Sequence, residues 1–152
     1  MLFFGSFNPI HIGHLILANY IIEFTSINEL WFVVSPQNPF KTNHSLLPEI
    51  HRLAIVDRSI QNDYRFKVSN IEFKLPKPSY TSDTLTHLVE KYPDYKFSLL
   101  MGEDNLTNLH KWKNAEFLVD NYDIYVYPRP GAKPGKYKGA TRIHILDAPL
   151  IE

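Results

Sequence analysis

Short apolar runs alternate along this chain with longer segments whose apolar residues recur every three to four positions. The clearest run is Leu30–Val34, where five consecutive apolar residues are typical of a strand buried on both faces of a parallel sheet. The segment before it, Gly13–Glu23, spaces its apolar residues like one face of a helix. Strand–helix–strand units join parallel strands through right-handed crossovers. The order therefore predicts an α/β fold: a Rossmann-like, doubly wound, mainly parallel sheet with helices on both faces.

The other elements are predicted from the same patterns and from local start and stop signals. Further strands are predicted at Leu2–Phe4, Tyr64–Ser69, Tyr95–Met101, Asp123–Tyr127 and Arg142–Leu146. Further helices are predicted to start at Pro48, after an N-cap at Ser79 and at Asp104, and to cover Ala115–Val119. The helix after Ser79 should run to Lys91 and bury Leu85, Leu88 and Val89. Two stretches are predicted to be loops: Ile71–Pro78, and Pro128–Gly139 as a mobile surface loop.

Charge and composition exclude several classes of protein. Among 152 residues, 16 Lys and Arg balance 16 Asp and Glu, so the formal net charge is zero. A neutral chain has no overall attraction to nucleic acid or to a membrane surface, so we expect neither as a partner. The chain has no cysteine, which excludes disulfides and cysteine zinc sites. We expect one cytoplasmic domain, residues 1–152, without a metal site of its own, and leave homo-oligomerisation open.

The most informative segment joins the first predicted strand to the first predicted helix. It has the sequence GSFNPIHIGHL, from Gly5 to Leu15. Ligands of open α/β sheets bind at the carboxyl ends of the strands, so we expect a site here. Gly5 should let the backbone turn sharply beside a ligand. Gly13 should leave the N–H groups of the helix start open to an anion.

Two histidines, His11 and His14, lie three residues apart in this segment. If Ile12 opens the helix, both rings lie near its first turn and can donate to one phosphate, in the charged form where phosphate charge is dense. The same spacing also suits a helix cap, or two ligands of a metal, although no third ligand with matching spacing is evident. These residues alone leave the three interpretations open.

The whole segment resembles the signature G-[TS]-F-[DN]-P-x-H-x-G-H of adenylyl- and cytidylyltransferases. That superfamily has a dinucleotide-binding-like fold, and it transfers a nucleotidyl group from a nucleoside triphosphate to a phosphate acceptor. Five later segments resemble the bacterial nicotinate-nucleotide adenylyltransferases in particular, in the order found in that family. They are Asn38–Lys41, Pro78–Thr84, Met101–Asp104, Lys111–Trp112 and Arg129–Gly131.

The resemblance implies a reaction. The phosphate of nicotinate mononucleotide would attack the α-phosphorus of ATP, giving nicotinate adenine dinucleotide and pyrophosphate in NAD biosynthesis. A phosphate is already nucleophilic at neutral pH, so catalysis would depend on orientation and on charge stabilisation. Mg²⁺ would enter with ATP, bridging its phosphate oxygens, and would need few protein ligands.

The resemblance also implies site residues. Charge stabilisation falls to His11, His14 and Lys41. The ATP-binding set is Gly5, Ser6, Phe7, His11, Gly13, His14, Lys41, Gly102, Asp104 and Arg129. The set for nicotinate mononucleotide is Ser6, Asn8, Tyr80, Thr81, Thr84 and Trp112. Several have a purely structural alternative: a solvated lysine for Lys41, a packing aromatic for Trp112, a loop residue for Arg129, and helix caps for Thr81, Thr84 and Asp104.

The chain departs from the family pattern in three places. Asn8 stands where Asp is commoner, and Asn38–Phe40 lacks the histidine that usually precedes the lysine, with no basis for His44 as a substitute. The chain also stops at Glu152, before the I-S-S-T-x-I-R segment of the family. We therefore expect a domain that lacks its C-terminal segment. Two alternative functions stay open: another adenylyl- or cytidylyltransferase of the superfamily, or a catalytically weak nucleotide-binding domain.

Overall fold

The computed structural model describes residues 1–36 and 45–149. These residues form six strands and five α-helices: β1 Leu2–Gly5, α1 Ile12–Phe24, β2 Leu30–Val34, α2 Glu49–Ile60, β3 Phe66–Ser69, α3 Thr81–Lys91, β4 Leu99–Gly102, α4 Glu103–Asn108, α5 Ala115–Asn121, β5 Ile124–Tyr127 and β6 Ile143–Ile145. Two 3₁₀ turns lie at Ile71–Lys74 and Leu109–Lys111. The strands pair in parallel, which confirms the predicted α/β class.

The first of two compact units is Met1–Ser79. In it β2 lies between β1 and β3, and the register sets Gly5 beside Val34 and Val33 beside Ser69. The carboxyl ends of the three strands therefore lie at one edge. All five residues of β2 are buried, as their unbroken apolar run predicts.

The helices of this unit bury a face with helical spacing. In α1 the buried residues are Gly13, Leu17, Ala18 and Ile21. In α2 they are Arg52, Val56 and Ile60, each four positions after the last. A charged residue thus stands on the apolar stripe of α2.

The second unit is Tyr80–Glu152, in which β5 lies between β4 and β6. Gly102, the last residue of β4, pairs with Tyr127, the last residue of β5. Helix α3 buries Leu85 and Leu88 as expected, but Val89 is 41% exposed, so the prediction for Val89 is wrong. The apolar stripe of α3 is narrower than its composition indicates.

The start of α3 also differs from the prediction. Tyr80, and not Ser79, occupies the N-cap position. The Ser79 hydroxyl instead donates to Glu72 Oε1 at 3.4 Å. Glu72 belongs to the Ile71–Lys74 turn inside the stretch that we predicted as a loop. The capping signal in the sequence therefore placed the start of α3 one residue too early, and the Ser79 hydroxyl bonds to a residue outside the helix.

Residues 128–139 form no helix or strand, as predicted, and contacts with neighbouring helices hold them, while their mobility stays a prediction. The Thr107 hydroxyl in α4 donates to the Lys133 carbonyl, and Tyr137 is buried and donates to Glu116 of α5 at 2.7 Å. A Cβ on Gly135 would lie 2.7 Å from Thr107 Cα, so glycine is what allows the two backbones to approach. Gly135 therefore serves packing, whereas the composition of the stretch indicated mobility. No helix among the described residues is both long and apolar enough to cross a membrane.

Candidate functional site

The signature loop, residues 6–11, connects β1 to α1, and the ring of its last residue, His11, stacks on the ring of His14 in the first turn of α1. Helix α1 opens at Ile12, so His11 is its N-cap. The Gly13 N–H donates to His11 Nδ1 at 3.1 Å, and the His11 N–H donates to His14 Nδ1 at 3.1 Å. The ring centroids lie 3.8 Å apart. The two histidines therefore cap the helix, which is one of the interpretations that the sequence left open.

Capping also decides which nitrogen of each neutral ring carries its proton. Because Nδ1 accepts a backbone N–H in both rings, the hydrogen of a neutral ring resides on Nε2. Each ring then offers one Nε2–H donor, and the stacking holds the two rings together. Capping and phosphate binding are thus compatible uses of His11 and His14.

The expectation of free backbone N–H groups at this helix start is corrected. The N–H groups of His11 and Gly13 already donate to imidazole nitrogens. The positive end of the helix dipole lies instead at the His11 and His14 rings, which have their own Nε2–H donors. The glycine at position 13 indicated backbone N–H groups free to bind an anion. The sequence alone does not show that the histidine side chains accept these N–H groups.

Burial keeps His14 uncharged at neutral pH. The pKa of His14 is lowered from 6.5 to about 4, chiefly because burial disfavours the charged ring and secondly because His11 lies beside it. His14 is therefore neutral in the protein by itself, and the charged imidazole expected beside dense phosphate charge stays a prediction. In its neutral form the His14 ring donates a hydrogen bond through Nε2–H. It does so without losing a proton when the surrounding charge changes.

The Phe7 ring packs against the His14 ring. Its ring is 3% exposed and meets the rings of Phe3, Phe32 and His14 edge-on, with centroids 5.4, 5.4 and 5.2 Å away. The Phe7 backbone has a φ of 45°, in the left-handed region that side chains other than glycine rarely adopt. The Phe7 ring thus serves the interior, although the resemblance placed this residue in the ATP set.

The Phe7 ring packs closely against Gly5. A Cβ at Gly5 would lie 3.0 Å from Phe7 Cζ, closer than real Cβ atoms normally approach. Gly5 itself continues the β1 ladder opposite Val34. The predicted sharp turn at Gly5 is therefore corrected: the glycine makes room for an aromatic side chain two residues later.

Asn8 links the signature loop to the segment before α2. Its Nδ2 donates to the Ser45 carbonyl at 3.1 Å, and its Oδ1 accepts the Leu47 N–H at 2.9 Å. An aspartate can accept but cannot donate, so this pair of bonds explains the departure from the commoner family residue. Ser6, also predicted for both ligands, is exposed. Lys41, Asn38–Phe40 and His44 lie outside the described residues.

In the second unit, three predicted ATP residues lie together at the end of β4. A Cβ on Gly102 would lie 2.6 Å from Asp104 Oδ1 and 3.1 Å from Arg129 Cγ, so both side chains lie close to the Gly102 backbone. The Arg129 Nε lies 3.9 Å from Asp104 Oδ1, and the Arg129 N–H donates to Glu103 Oε1 at 3.0 Å. Asp104 is exposed and does not cap α4, so its carboxylate can accept hydrogen bonds from outside the protein.

The predicted acceptor residues of the second unit lie at and after the start of α3. No side chain in the part of the chain that the structure describes caps this helix, although Tyr80 and Thr81 are at its start. Thr84 is fully buried and donates to the Tyr80 carbonyl at 3.2 Å, which accounts for its hydroxyl without a ligand. Trp112, partly exposed, ends the Leu109–Lys111 turn.

Two charged residues outside the sequence motifs, Lys113 and Arg52, are prominent in the structure. The Lys113 Nζ lies 3.0 Å from Oδ2 of Asp83, which is in the first turn of α3. The same Nζ lies 5.0 Å from the centroid of the Tyr80 ring. Arg52 is completely buried in the first unit. Its position four residues before Val56, on the apolar stripe of α2, was a signal that could have identified it.

Comparison with known proteins adds the family. A model of the cytidylyltransferase-like family matches residues 2–150. A Flavobacterium johnsoniae protein named "Probable nicotinate-nucleotide adenylyltransferase" is 51% identical, over 99% of this chain and 79% of the relative. A Cytophaga hutchinsonii protein of the same name is 52% identical with the same coverage. The chain therefore belongs to the cytidylyltransferase-like family of nucleotidyltransferases.

The particular group within that family follows from the same relatives. About half of all residues are identical over nearly the whole chain, so the protein groups with the nicotinate-nucleotide adenylyltransferases, as its motifs predicted. The solved structure of Plasmodium falciparum nicotinic acid mononucleotide adenylyltransferase complexed with NaAD has a TM-score of 0.79 at 21% identity, covering 99% of this chain and 75% of that one. The same enzyme complexed with APC has a TM-score of 0.77. These likenesses confirm the fold.

Proposed function

We propose that this protein transfers AMP from ATP to nicotinate mononucleotide, releasing pyrophosphate and forming nicotinate adenine dinucleotide. The observation that carries the proposal is the pair of stacked imidazoles at the start of α1, whose Nδ1 atoms are held by backbone N–H groups. Two Nε2–H donors set in advance suit the oxygens of a reacting phosphate. The family of the closely similar relatives supports the same reaction.

The chain supplies orientation and charge stabilisation. The acceptor phosphate attacks the α-phosphorus in line, its oxygen forms the new P–O bond, and the bond to pyrophosphate breaks. A phosphate monoester is a competent nucleophile at neutral pH, so no side chain has to remove a proton from it. His11 and His14 donate to phosphate oxygens as charge shifts toward the leaving group. Mg²⁺ would enter as part of the ATP substrate and would neutralise part of the phosphate charge.

In the second unit, the exposed Asp104 carboxylate beside Arg129 suits the hydroxyl groups of a ribose. The start of α3 suits the carboxylate of nicotinate. Its N-cap side chain makes no capping bond, and its first turn presents backbone N–H groups with the positive end of the helix dipole. Tyr80 and Trp112 add aromatic surface for a flat pyridine ring. We also assign Lys41 to the triphosphate, as the sequence motif that contains it predicts.

The reaction is tested by following pyrophosphate and dinucleotide formation from ATP and nicotinate mononucleotide with purified protein. His14→Gln keeps an acceptor for the His11 N–H, as glutamine does at this position of a capping box, but removes the ring donor. We expect kcat to fall about 100-fold or more with little change in stability. His51→Gln is the matched control, since His51 is exposed on α2. Equal kcat for wild type and His14→Gln would reject the role of His14.

The acceptor preference is a separate prediction. A carboxylate accepts charge-assisted hydrogen bonds from the α3 amides, whereas the amide of nicotinamide would bring donors against donors. We expect kcat/KM to favour nicotinate over nicotinamide mononucleotide, by up to about 10⁴-fold for a site of this kind. The measurement is kcat/KM for both acceptors at saturating Mg-ATP. Equal values would reject the carboxylate site and leave adenylyl transfer intact.

A further inference from the structure

Arg52 joins three separate segments of the first unit from inside. Its side chain is 0% exposed. Its Nε donates to the Leu47 carbonyl at 2.8 Å, and its Nη1 donates to the carbonyls of Ser6 at 2.6 Å and Ser35 at 2.7 Å. These carbonyls belong to the signature loop, to the chain just after β2 and to the chain just before α2. One guanidinium therefore fixes the signature loop against both of its neighbours.

Stability alone is a poor reason for this arrangement. A guanidinium stays charged in a protein interior, and burying a charge is costly unless its donors are satisfied. Nη2 of Arg52 is buried and has no hydrogen-bond partner within the described residues, and neither has Glu49 Oε2. An apolar side chain of similar length would avoid that cost on the buried stripe of α2. What it could not do is hold three carbonyls at once.

The bond to Ser6 acts on the reacting end of the loop. The Ser6 carbonyl belongs to the peptide plane that leads into Phe7, where φ is 45°. A backbone in this sparsely populated region persists only when its surroundings determine it. The Phe7 ring in turn packs against the His14 ring, with centroids 5.2 Å apart. Arg52 thus connects to His14 through one hydrogen bond, one constrained backbone residue and one ring contact.

We propose that Arg52 is a positioning residue that sets His14 for the transfer reaction through the Ser6–Phe7 peptide. The proposal rests on the role of His14 given above. Arg52 itself is buried and acts only through its hydrogen bonds to backbone carbonyls. Small displacements of a donor at a reacting centre lower the rate constant more than substrate affinity, because the donor is needed most in the transition state.

The test compares Arg52→Lys and Arg52→Met with Arg58→Met, an exposed arginine on the same helix. Lysine keeps the charge but cannot fork across carbonyls of three segments. We expect kcat to fall about 10- to 100-fold in Arg52→Met and less in Arg52→Lys, with the KM for ATP within about threefold of wild type. Arg58→Met should behave as wild type.

A second measurement needs no substrate. The imidazole signals of His14 are followed by NMR against pH in the same proteins. We expect the pKa of His14 to rise from about 4 toward 6.5 when Arg52 is replaced, because the ring loses its enclosed position. Wild-type turnover decides the proposed reaction, and the NMR titration decides the positioning role independently.

The outcomes separate positioning from support of the fold. Arg52→Lys with a wild-type kcat and an unchanged His14 titration overturns the proposal. A loss of activity that only follows the folded fraction, with His14 unchanged in the folded protein, also overturns it. If Arg52→Met fails to fold, Arg52→Lys carries the decision. A lowered kcat together with a shifted His14 titration supports the proposal.

Discussion

At the scale of single residues, the stacked histidines show how one set of hydrogen bonds serves two purposes. The backbone N–H groups of His11 and Gly13 need partners at a helix start, and the imidazole Nδ1 atoms provide them. The same bonds leave the Nε2–H of each neutral ring as its remaining donor. Such donors need no reorganisation when charge moves on a phosphate, which is the property that electrostatic catalysis requires.

The protonation of His14 is directly testable. We expect its ring signals to titrate with a midpoint near pH 4, since burial opposes the charged form and His11 lies beside it. Nitrogen chemical shifts at pH 7 should show the hydrogen on Nε2 and a bare Nδ1. The measurement is a series of two-dimensional ¹H–¹⁵N spectra of the imidazoles between about pH 3.5 and 8, a range that includes the usual histidine pKa. A midpoint at 6.5 would contradict the burial of this ring.

Gly5→Ala tests whether Gly5 exists for Phe7. The new methyl group would overlap the Phe7 ring, so we expect a loss of about 1–3 kcal/mol in the free energy of unfolding. Phe7→Leu should relieve the overlap. In a double-mutant cycle the Gly5→Ala substitution should then cost less on the leucine background. Chemical denaturation of the four proteins measures both terms, and strict additivity would argue against the contact.

At the scale of elements, residues 128–139 carry the clearest lesson. Their proline, glycine and lysine content is typical of an exposed mobile loop, yet they pack on α4 and α5 through Thr107 and Glu116. The pKa of Glu116 is lowered mainly by the hydrogen bond from Tyr137, which favours the charged carboxylate that accepts it. A segment of this kind is held by a few specific contacts, so single substitutions can release it.

Gly135→Ala should release part of that segment. The added methyl would meet backbone atoms, Thr107 Cα at 2.7 Å and the Leu106 oxygen at 2.8 Å, which cannot rotate away. We expect a loss of stability of about 1–3 kcal/mol together with faster amide exchange over residues 128–139. Gly131→Ala is the control, because Gly131 has a φ of +72° and open space, so only backbone strain is added, about 1–2 kcal/mol. Unchanged exchange in Gly135→Ala would show that the segment is not held at this point.

At the scale of the whole molecule, several titrations act on stability in the same direction. The pKa of Asp63 is lowered chiefly by a hydrogen bond from Arg65, and that of Asp123 by one from His144. A lowered carboxyl pKa contributes stability that is lost as the pH falls through the folded-state value. His14 adds a window at higher pH. Its folded-state pKa of about 4 lies below the ordinary 6.5, so the unfolded chain takes up a proton first.

We therefore expect the free energy of unfolding to decrease already as the pH falls from 6.5 to about 4, before the carboxylates dominate. His14→Gln should flatten this part of the curve, because glutamine keeps the capping acceptor but does not titrate. Urea denaturation of both proteins at several pH values between about 4.5 and 7.5 measures the difference. This range includes the pKa of an ordinary histidine. Parallel curves would mean that His14 titrates alike in both states.

Element type was largely predictable because its causes are local. The five buried residues of β2 and the buried face of α1 follow from periodicities within a dozen positions. Boundaries were less predictable: β3 starts at Phe66 where the pattern indicated Tyr64, and β4 starts at Leu99 where the pattern indicated Tyr95. Strand ends depend on where the neighbouring strand stops, and the pairing partner is distant in sequence.

The sequence by itself determined the α/β order, the family signature and the placing of His11 and His14 at the start of a helix. Only the tertiary structure decided that their Nδ1 atoms take the backbone amides, that Asn8 binds a segment 37 to 39 positions away, and that Arg52 holds Ser6 across 46 positions. The physical reason is range. Periodicity and capping act over a few residues, whereas a buried donor is satisfied by whichever carbonyl the folded chain brings within about 3 Å.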